Sequence, residues 1–394
     1  MSRLLHTKRV VLIQAFVPKY EVPLFDRLAE IPGIELIVLA DLRSSSQLNQ
    51  YDASAVRFGA QHLPRRPLGP FFLRPGLFRR LRELNPGAVI INGDPRELSQ
   101  LFAAVWARIR RVPVGVWSMF HRIGKRRLFT EIYMRVIGAV GDVQLSYGQK
   151  GRSEQIRRGI SADKIVVLST AIAERPVMKV RDGVTADMVE HFRRDQGIEG
   201  KKVLLHVVRL TAIKKPEVMV ECFAALAKQR SDVLLVWIGG GPLEESTRRL
   251  AANLGVGDRM RFLGPIYDED VLALWFKSAT VFVMATCIGL SIHHAMCYGV
   301  PVVTDDSALT QSSEFEVLQS EVNGLTYRAG DSADFVKQAS RVLDDDEFRM
   351  FLSANAMRRI ECDYTFEKKI RNFADGIRRL TRLAAERNPT DDLQ

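Results

Sequence analysis

The chain of 394 residues holds only four cysteines, Cys222, Cys287, Cys297 and Cys362, and none pair as C-x-x-C. A disulfide framework is excluded on that count, and reduced thiols in a cytoplasmic protein are expected. Histidines are few, and no histidine and cysteine cluster has metal-ligand spacing. Asp268-Glu269-Asp270 and Asp344-Asp345-Asp346 match D-x-D literally, but each opens a helical pattern, where acidic residues favour the dipole. Helix starts are expected there, and no metal and no cofactor. No apolar run approaches the roughly 20 residues that span a bilayer. The basic stretch 1–9 leads straight into a strand-like run that Gln14 and Lys19 interrupt, so neither a signal nor a transit peptide is expected. Internal repeats and low-complexity tracts are absent.

Hydrophobic residues make up 46% and charged residues 26% of the chain, the balance of an ordinary globular protein. Length suggests more than one domain. Near-continuous Val/Ile/Leu runs at about 9–14, 35–39, 88–91, 112–117, 143–146 and 164–168 alternate with helical patterns such as 23–29, 97–109 and 128–137. The scheme repeats with strands near Val203, Val233, Met260, Thr280, Val302 and Leu325. Parallel sheets covered on both faces read this way. Two doubly wound α/β domains are therefore expected, over 1–175 and 201–364. A polar linker region over 176–200 that contains a short helical pattern at about 186–196, a periodic helix over 365–387 and a disordered tail over 388–394 complete the division.

One strand–turn–helix unit stands out. An apolar strand over 280–284 enters a glycine turn at Gly289, and a helix opens at about Leu290 and Ser291 and ends at Gly299. A glycine there lets a ligand approach the backbone, and free first-turn amides attract an anion, typically phosphate. Upstream, the strand at 203–208 ends in Arg209-Leu210-Thr211-Ala212-Ile213-Lys214. In open α/β sheets the ligand crevice lies at the carboxyl ends of strands, so Arg209, Lys214 and the helix mouth can share one diphosphate. A solvated basic loop is the alternative.

These pieces, in order, carry a resemblance. R-L-x-x-x-K at 209–214, I-G-G-G-P at 238–242, R-F-L-G at 261–264, G-L-S-x-x-x-A-M-x-x-G-x-P-V-V at 289–303, N-G-L at 323–325 and Gly330-Asp331 resemble the nucleotide-sugar-binding domain of retaining family 4 glycosyltransferases. The resemblance covers about 200–340 well and the N-terminal half more loosely. It implies the GT-B fold: two Rossmann-like domains facing each other across a cleft, with a terminal helix crossing back to the N-terminal domain. It implies a nucleotide-diphosphate sugar as donor, a glycan or lipid-linked acceptor, and metal-independent transfer with retention. Gly239, Gly240, Gly264, Gly289, Leu290 and Ser291 would line the donor site, with Arg209 and Lys214 neutralising the leaving diphosphate. The family usually carries two glutamates eight positions apart, the first on the donor sugar and the second on the ribose; this chain has Thr286 and His294 there. His294 can still hold a ribose hydroxyl, or it is a packed helix-face histidine. Glu314 and Glu316, near the next turn, are substitutes for the lost charge or else ordinary polar residues. A nucleotide-sugar epimerase of the same fold, or a catalytically silent binding or scaffold protein, is the rival function.

On the acceptor side, Lys19 and Tyr20 follow the first strand, where the family often has a glycine-rich loop that is missing here. Asp94 and Arg96 follow the third strand; Asp94 suits binding or deprotonating an acceptor hydroxyl, or an Asx turn or helix cap. His121 is the nearest match to a histidine that family members place near the reacting sugar, and otherwise a loop or interface histidine.

Charge divides unevenly. Residues 1–180 hold 29 Lys and Arg against 14 Asp and Glu, an excess of 15, whereas the rest hold 28 against 32. The positive clusters are Arg65, Arg66, Arg74, Arg79, Arg80 and Arg82, interleaved with Leu68, Phe71, Phe72, Leu77, Phe78 and Leu81, and Arg108, Arg110, Arg111, Arg122, Lys125, Arg126 and Arg127. Such interleaving suits an anionic membrane surface met peripherally from the cytoplasm; a helix turning Leu77, Phe78 and Leu81 inward is the alternative. No nucleic-acid motif is present.

Overall fold

The computed structural model describes residues 8–43, 56–121 and 128–387. In chain order the N-terminal elements are β1 (Lys8–Ile13), α1 (Val22–Ala29), β2 (Ile34–Ala40), β3 (Gly59–His62), β4 (Arg66–Leu68), β5 (Phe71–Leu73), α2 (Leu77–Leu84), β6 (Ala88–Asn92), α3 (Leu98–Ile109), β7 (Val114–Ser118), α4 (Leu128–Val140), β8 (Val143–Ser146), α5 (Gln149–Arg157) and β9 (Ile165–Val167). They continue as α6 (Glu174–Gly183), α7 (Ala186–Asp195), β10 (Lys202–Val207), α8 (Pro216–Gln229), β11 (Val233–Ile238), α9 (Glu244–Asn253), β12 (Met260–Phe262), α10 (Glu269–Ser278), β13 (Val281–Met284), α11 (Ser291–Cys297), β14 (Val302–Asp305), β15 (Gly324–Tyr327), α12 (Ser332–Asp344), α13 (Asp346–Cys362) and α14 (Phe366–Arg387).

The chain divides into two compact units, one of Met1–Thr170 with Glu367–Gln394 and one of Ala171–Phe366. The first is built on a seven-stranded parallel sheet ordered β3-β2-β1-β6-β7-β8-β9. Val10, Val11, Leu12 and Ile13 are buried because β1 is paired on both edges and covered on both faces, which is why the strand reads as an unbroken apolar run. The second is a six-stranded parallel sheet ordered β12-β11-β10-β13-β14-β15. Each order reverses once, between β1 and β6 and between β10 and β13. Loops leaving the carboxyl ends of those strands diverge to opposite faces and leave a crevice.

Three departures from the sequence reading have physical causes. Residues 176–200, read as a linker region, hold the helix expected near 186–196 as α7 but also most of α6, which was not expected; Val177 enters the second core and Phe192 packs edge-on against Trp275 at 4.9 Å. Short strands β4 and β5 make an antiparallel hairpin that the proline- and glycine-rich run 64–70 concealed. Helix α2 buries Leu77, Leu81 and Leu84 and turns Arg79, Arg80 and Arg82 outward, the inward-facing alternative, with Phe78 left exposed. The terminal helix α14 packs within the first unit. Phe373 meets Trp117 at 5.2 Å, Asn372 donates to the Val167 carbonyl at 2.9 Å, and a Cβ on Gly376 would stand 2.3 Å from Leu145 Cδ2. The tail at 388–394 lies outside the described residues.

Candidate functional site

The second unit's crevice is assembled from loops after β10, β11, β12 and β13. Backbone bonds zip the first three together: Leu210 donates to Gly240 at 3.2 Å, Leu243 to Leu210 at 3.2 Å, and Gly239 to Gly264 at 2.8 Å. Only glycine fits at 239, where φ is +134° and a Cβ would stand 2.1 Å from the Val208 carbonyl oxygen. Gly239, Gly240 and Gly264 thus act as a backbone clasp that fixes the Arg209 loop. Arg209 itself is exposed, and among the described residues no hydrogen bond or ion pair holds its guanidinium.

Lys214 ends a short 3-10 turn, followed by Lys215 at φ +45° and then Pro216 at the first position of α8. Its ammonium reaches across the switch point: Nζ donates to the Cys287 carbonyl, lies 3.7 Å from Cys287 Sγ, and would stand 3.6 Å from a Cβ on Gly289. The β10 and β13 loops therefore meet at this cation. Cys287 adopts φ +49°, a left-handed conformation unusual for a residue with a side chain. Among the described residues the amides of Gly289, Leu290 and Ser291 donate to no acceptor, while Ile292 closes onto Gly289 at 3.1 Å to begin α11.

Carboxylates gather behind this mouth. Thr286 is buried, its hydroxyl reaches no acceptor at full hydrogen-bonding geometry, and its polar neighbour is Asp305. Burial raises the Asp305 carboxyl, against the pull of Thr286 and Gln311. Gln311 is a double brace: its Nε2 donates to Asp305 Oδ1 at 2.7 Å and its Oε1 accepts from the Ile288 amide at 2.9 Å. Glu314, on the 3-10 turn Ser313–Val317, is half-buried and close enough to act on Cys287. Burial raises the Cys287 thiol, Lys214 pulls it down, and Glu314 and Asp305 add to the rise.

His294 faces α10. Its Nε2 lies 3.3 Å from Glu269 Oε2, Tyr298 donates to Glu269 Oε1 at 2.7 Å, and Phe276 stacks on both rings. Burial pushes the Glu269 carboxyl up, but His294 and Tyr298 outweigh it and hold it below its ordinary value. Asp268 caps α10 as its pattern suggested, accepting from the Asp270 and Val271 amides, and Asp345 caps α13. Glu269, Asp305 and Gln311 were missed as site residues. Glu269 was hidden inside a helix-start triplet, and no spacing in the chain links 269 to 294.

In the first unit, Lys19 and Tyr20 sit exposed on the 3-10 turn Lys19–Glu21 after β1. Behind them Glu21 is buried, and desolvation carries its carboxyl up to about 7 against the attraction of Lys369. Asp94 makes the Asx-type turn: its Oδ1 accepts from the Arg96 amide at 3.0 Å, and its Oδ2 pairs with the guanidinium at 2.8 Å. Burial opposes ionisation of Asp94, but Arg96 holds the carboxyl below its ordinary value, which makes it a weak base. Tyr133 donates to the Asp94 carbonyl at 3.2 Å. His121 is buried, with Nδ1 3.0 Å from the Met119 carbonyl. Two expected surface cations are tied down instead: Arg74 is buried, and Glu97 accepts from both Arg65 and Arg74, at 2.6 and 3.0 Å. Arg122, Lys125, Arg126 and Arg127 lie outside the described residues.

Residues 188–359 match the family model of glycosyl transferases group 1. Among curated relatives, D-inositol 3-phosphate glycosyltransferase of Salinispora arenicola is 30% identical over 190 residues, 45% of this chain and 41% of that protein. N-acetyl-alpha-D-glucosaminyl L-malate synthase of Bacillus anthracis is 26% identical over 190 residues, 48% of each. The chain spans less than half the length of the curated relatives it matches. Among solved structures, Anabaena HepE in complex with UDP superposes with a TM-score of 0.73 at 15% identity, covering 94% of this chain and all of that one. The fold is thus GT-B, two Rossmann-like units, and the segment 188–359 is similar to the glycosyl transferases of group 1.

Proposed function

We propose that this protein is a glycosyltransferase that moves a sugar from a nucleotide-diphosphate donor to a hydroxyl of a glycan or lipid-linked acceptor, with retention of configuration. The observation that carries the reading is Lys214 bridging to Cys287 beside Gly289, on the loop pair that also presents the unpaired Arg209. Two cations and three open amides suit a pyrophosphate. The bond between the sugar's anomeric carbon and the β-phosphate oxygen breaks, the acceptor oxygen bonds to that carbon from the same face, and the acceptor's proton passes to the leaving phosphate. Arg209 and Lys214 hold the charge that develops on the phosphate, so the step does not call for a metal ion. HepE, with which the fold is shared, is known with UDP and with UDP-glucose, which makes UDP the first nucleotide to try. Glu314 and Asp305 stand in for the sugar-side charge that Thr286 lacks, and Glu269 through His294 for the ribose-side charge. The reading places the protein in the cytoplasm, with its positive unit toward an anionic membrane face.

The test is a thermal-shift panel of UDP, GDP and ADP, followed by hydrolysis of the matching sugar nucleotide. A ligand that binds only the folded state raises the melting temperature by mass action. One nucleotide is expected to shift it, and its sugar conjugate to be hydrolysed slowly without acceptor. Interconversion of the sugar nucleotide with no transfer to any acceptor selects the epimerase. No shift with any nucleotide overturns the reading in favour of a silent scaffold.

A further inference from the structure

Among the described residues, two neighbouring helices of the first unit have outer sides that are apolar and largely uncovered. Helices α3 and α4 follow β6 and β7, successive strands of one parallel sheet, so right-handed crossovers put them on the same face, where they touch each other. Their inner sides are core: Ala103, Ala104 and Ala107 on α3, Tyr133, Met134 and Ile137 on α4. Their outer sides should be polar, as on any surface helix. They are not. Phe102 and Ile109 on α3 and Leu128, Phe129 and Ile132 on α4 are all more than half exposed, and Ile109 and Leu128 reach 78%. The strip continues onto the β4–β5 hairpin, where Phe71 meets Phe129 edge-on at 5.9 Å and Leu68 is exposed.

Among the described residues, the charge around this strip that is not already paired is positive. Nearby carboxylates are spent internally: Glu97 on Arg65 and Arg74, Asp94 on Arg96, Glu131 on Arg158, and Asp142 on Arg108 and Arg387. Arg66, Arg111 and Arg135 are exposed and, among the described residues, meet no carboxylate; Arg110 lies only over the Trp106 ring, at 5.3 Å. A second copy docked on this face about a two-fold axis would bring like charges together. A nucleic acid would leave the aromatic and aliphatic centre unused. An anionic bilayer surface satisfies both parts, with apolar side chains in the headgroup and acyl boundary and guanidinium groups on lipid phosphates.

We infer that the α3–α4 face, extended by the β4–β5 hairpin, is the surface by which this protein docks on an anionic membrane. The inference rests on the membrane part of the reading above and not on the transfer reaction.

The full chain is tested by sedimentation with vesicles of phosphatidylglycerol and phosphatidylcholine in equal parts, and with phosphatidylcholine alone. Wild-type protein is expected to bind the mixed vesicles and release them at high salt. The triple variant Phe102→Ser, Ile109→Ser, Leu128→Ser is expected to bind at least about tenfold more weakly with a melting temperature close to wild type, because these side chains are more than half exposed. Arg110→Gln with Arg135→Gln is expected to weaken binding by about fivefold per charge. Wild-type protein that ignores the mixed vesicles overturns the membrane reading itself. Wild-type binding that the triple variant retains overturns the assignment to this face. A solution dimer that the triple variant dissolves, without vesicle binding, assigns the face to a second copy and overturns the inference.

Discussion

His294 Nε2 lies 3.3 Å from the Glu269 carboxylate, whose other oxygen accepts from Tyr298. The resemblance implies a glutamate where His294 stands; in this chain the carboxylate nearest the histidine is on the first turn of α10. Glu269 reaches the histidine because Asp268 caps α10, which leaves the next side chain to turn toward α11.

That pair makes a pH-dependent contribution to stability. Glu269 titrates below the ordinary carboxylate value, burial opposing and His294 with Tyr298 prevailing. A carboxyl lowered on folding stabilises above its unfolded value, and the contribution disappears as pH falls through the folded one. Glu269→Gln is therefore expected to cost about 1 kcal/mol at neutral pH. The gap from wild type should close toward about pH 3, below the ordinary carboxylate range. Denaturant unfolding at both pH values measures it, and a gap that stays constant refutes the ionic account.

Arg209 and Lys214 are expected to separate chemistry from structure. Arg209 has no partner to lose, so Arg209→Met should leave stability within about 0.5 kcal/mol of wild type. If it stabilises the departing diphosphate, turnover of the matching sugar nucleotide should fall about 100-fold or more. Lys214→Met also orphans the Cys287 carbonyl, so it should cost about 1 kcal/mol of stability while weakening the nucleotide-induced thermal shift. Equal turnover in wild type and Arg209→Met removes Arg209 from the mechanism.

The two sheets were legible because buried parallel strands are written as unbroken apolar runs. Val10 to Ile13 and Val233 to Ile238 are two such runs, and every residue in them is buried. The glycine turns of the second unit were legible because glycine is required where backbones touch, as at Gly239. What spacing could not reveal was side-chain partnership across the sheet. His294 and Glu269 lie 25 positions apart, and Asp305 and Thr286 meet only because β13 and β14 are neighbours. Arginine clusters misled for a related reason: sequence counts charges, and only the fold says which are already neutralised. Arg74 counted as surface charge, yet it is buried against Glu97.

Glu97 carries the last prediction. It is fully buried and accepts from Arg65 at 2.6 Å and Arg74 at 3.0 Å, while the Arg74 amide donates to Ser99 Oγ at 2.9 Å. Burial pulls the Arg74 guanidinium below its ordinary value, and Glu97 is the main force opposing that. Removing the carboxylate takes away the buried cation's main counter-charge and leaves only the more weakly acting Asp41, so Glu97→Gln should destabilise by about 3–5 kcal/mol. Arg65 is partly exposed, and Arg65→Gln should cost only about 1 kcal/mol. Arg65 also lies 3.2 Å from the Phe72 ring centroid, so it is the strut of the β4–β5 hairpin. Replacing both members of the buried pair, Glu97→Leu with Arg74→Met, should recover most of the loss, because a well-packed apolar pair needs no counter-charge. Unfolding free energies of the single and double variants decide it. If the double variant is as unstable as Glu97→Gln, the cost lies in packing around Ser99 and not in the stranded guanidinium.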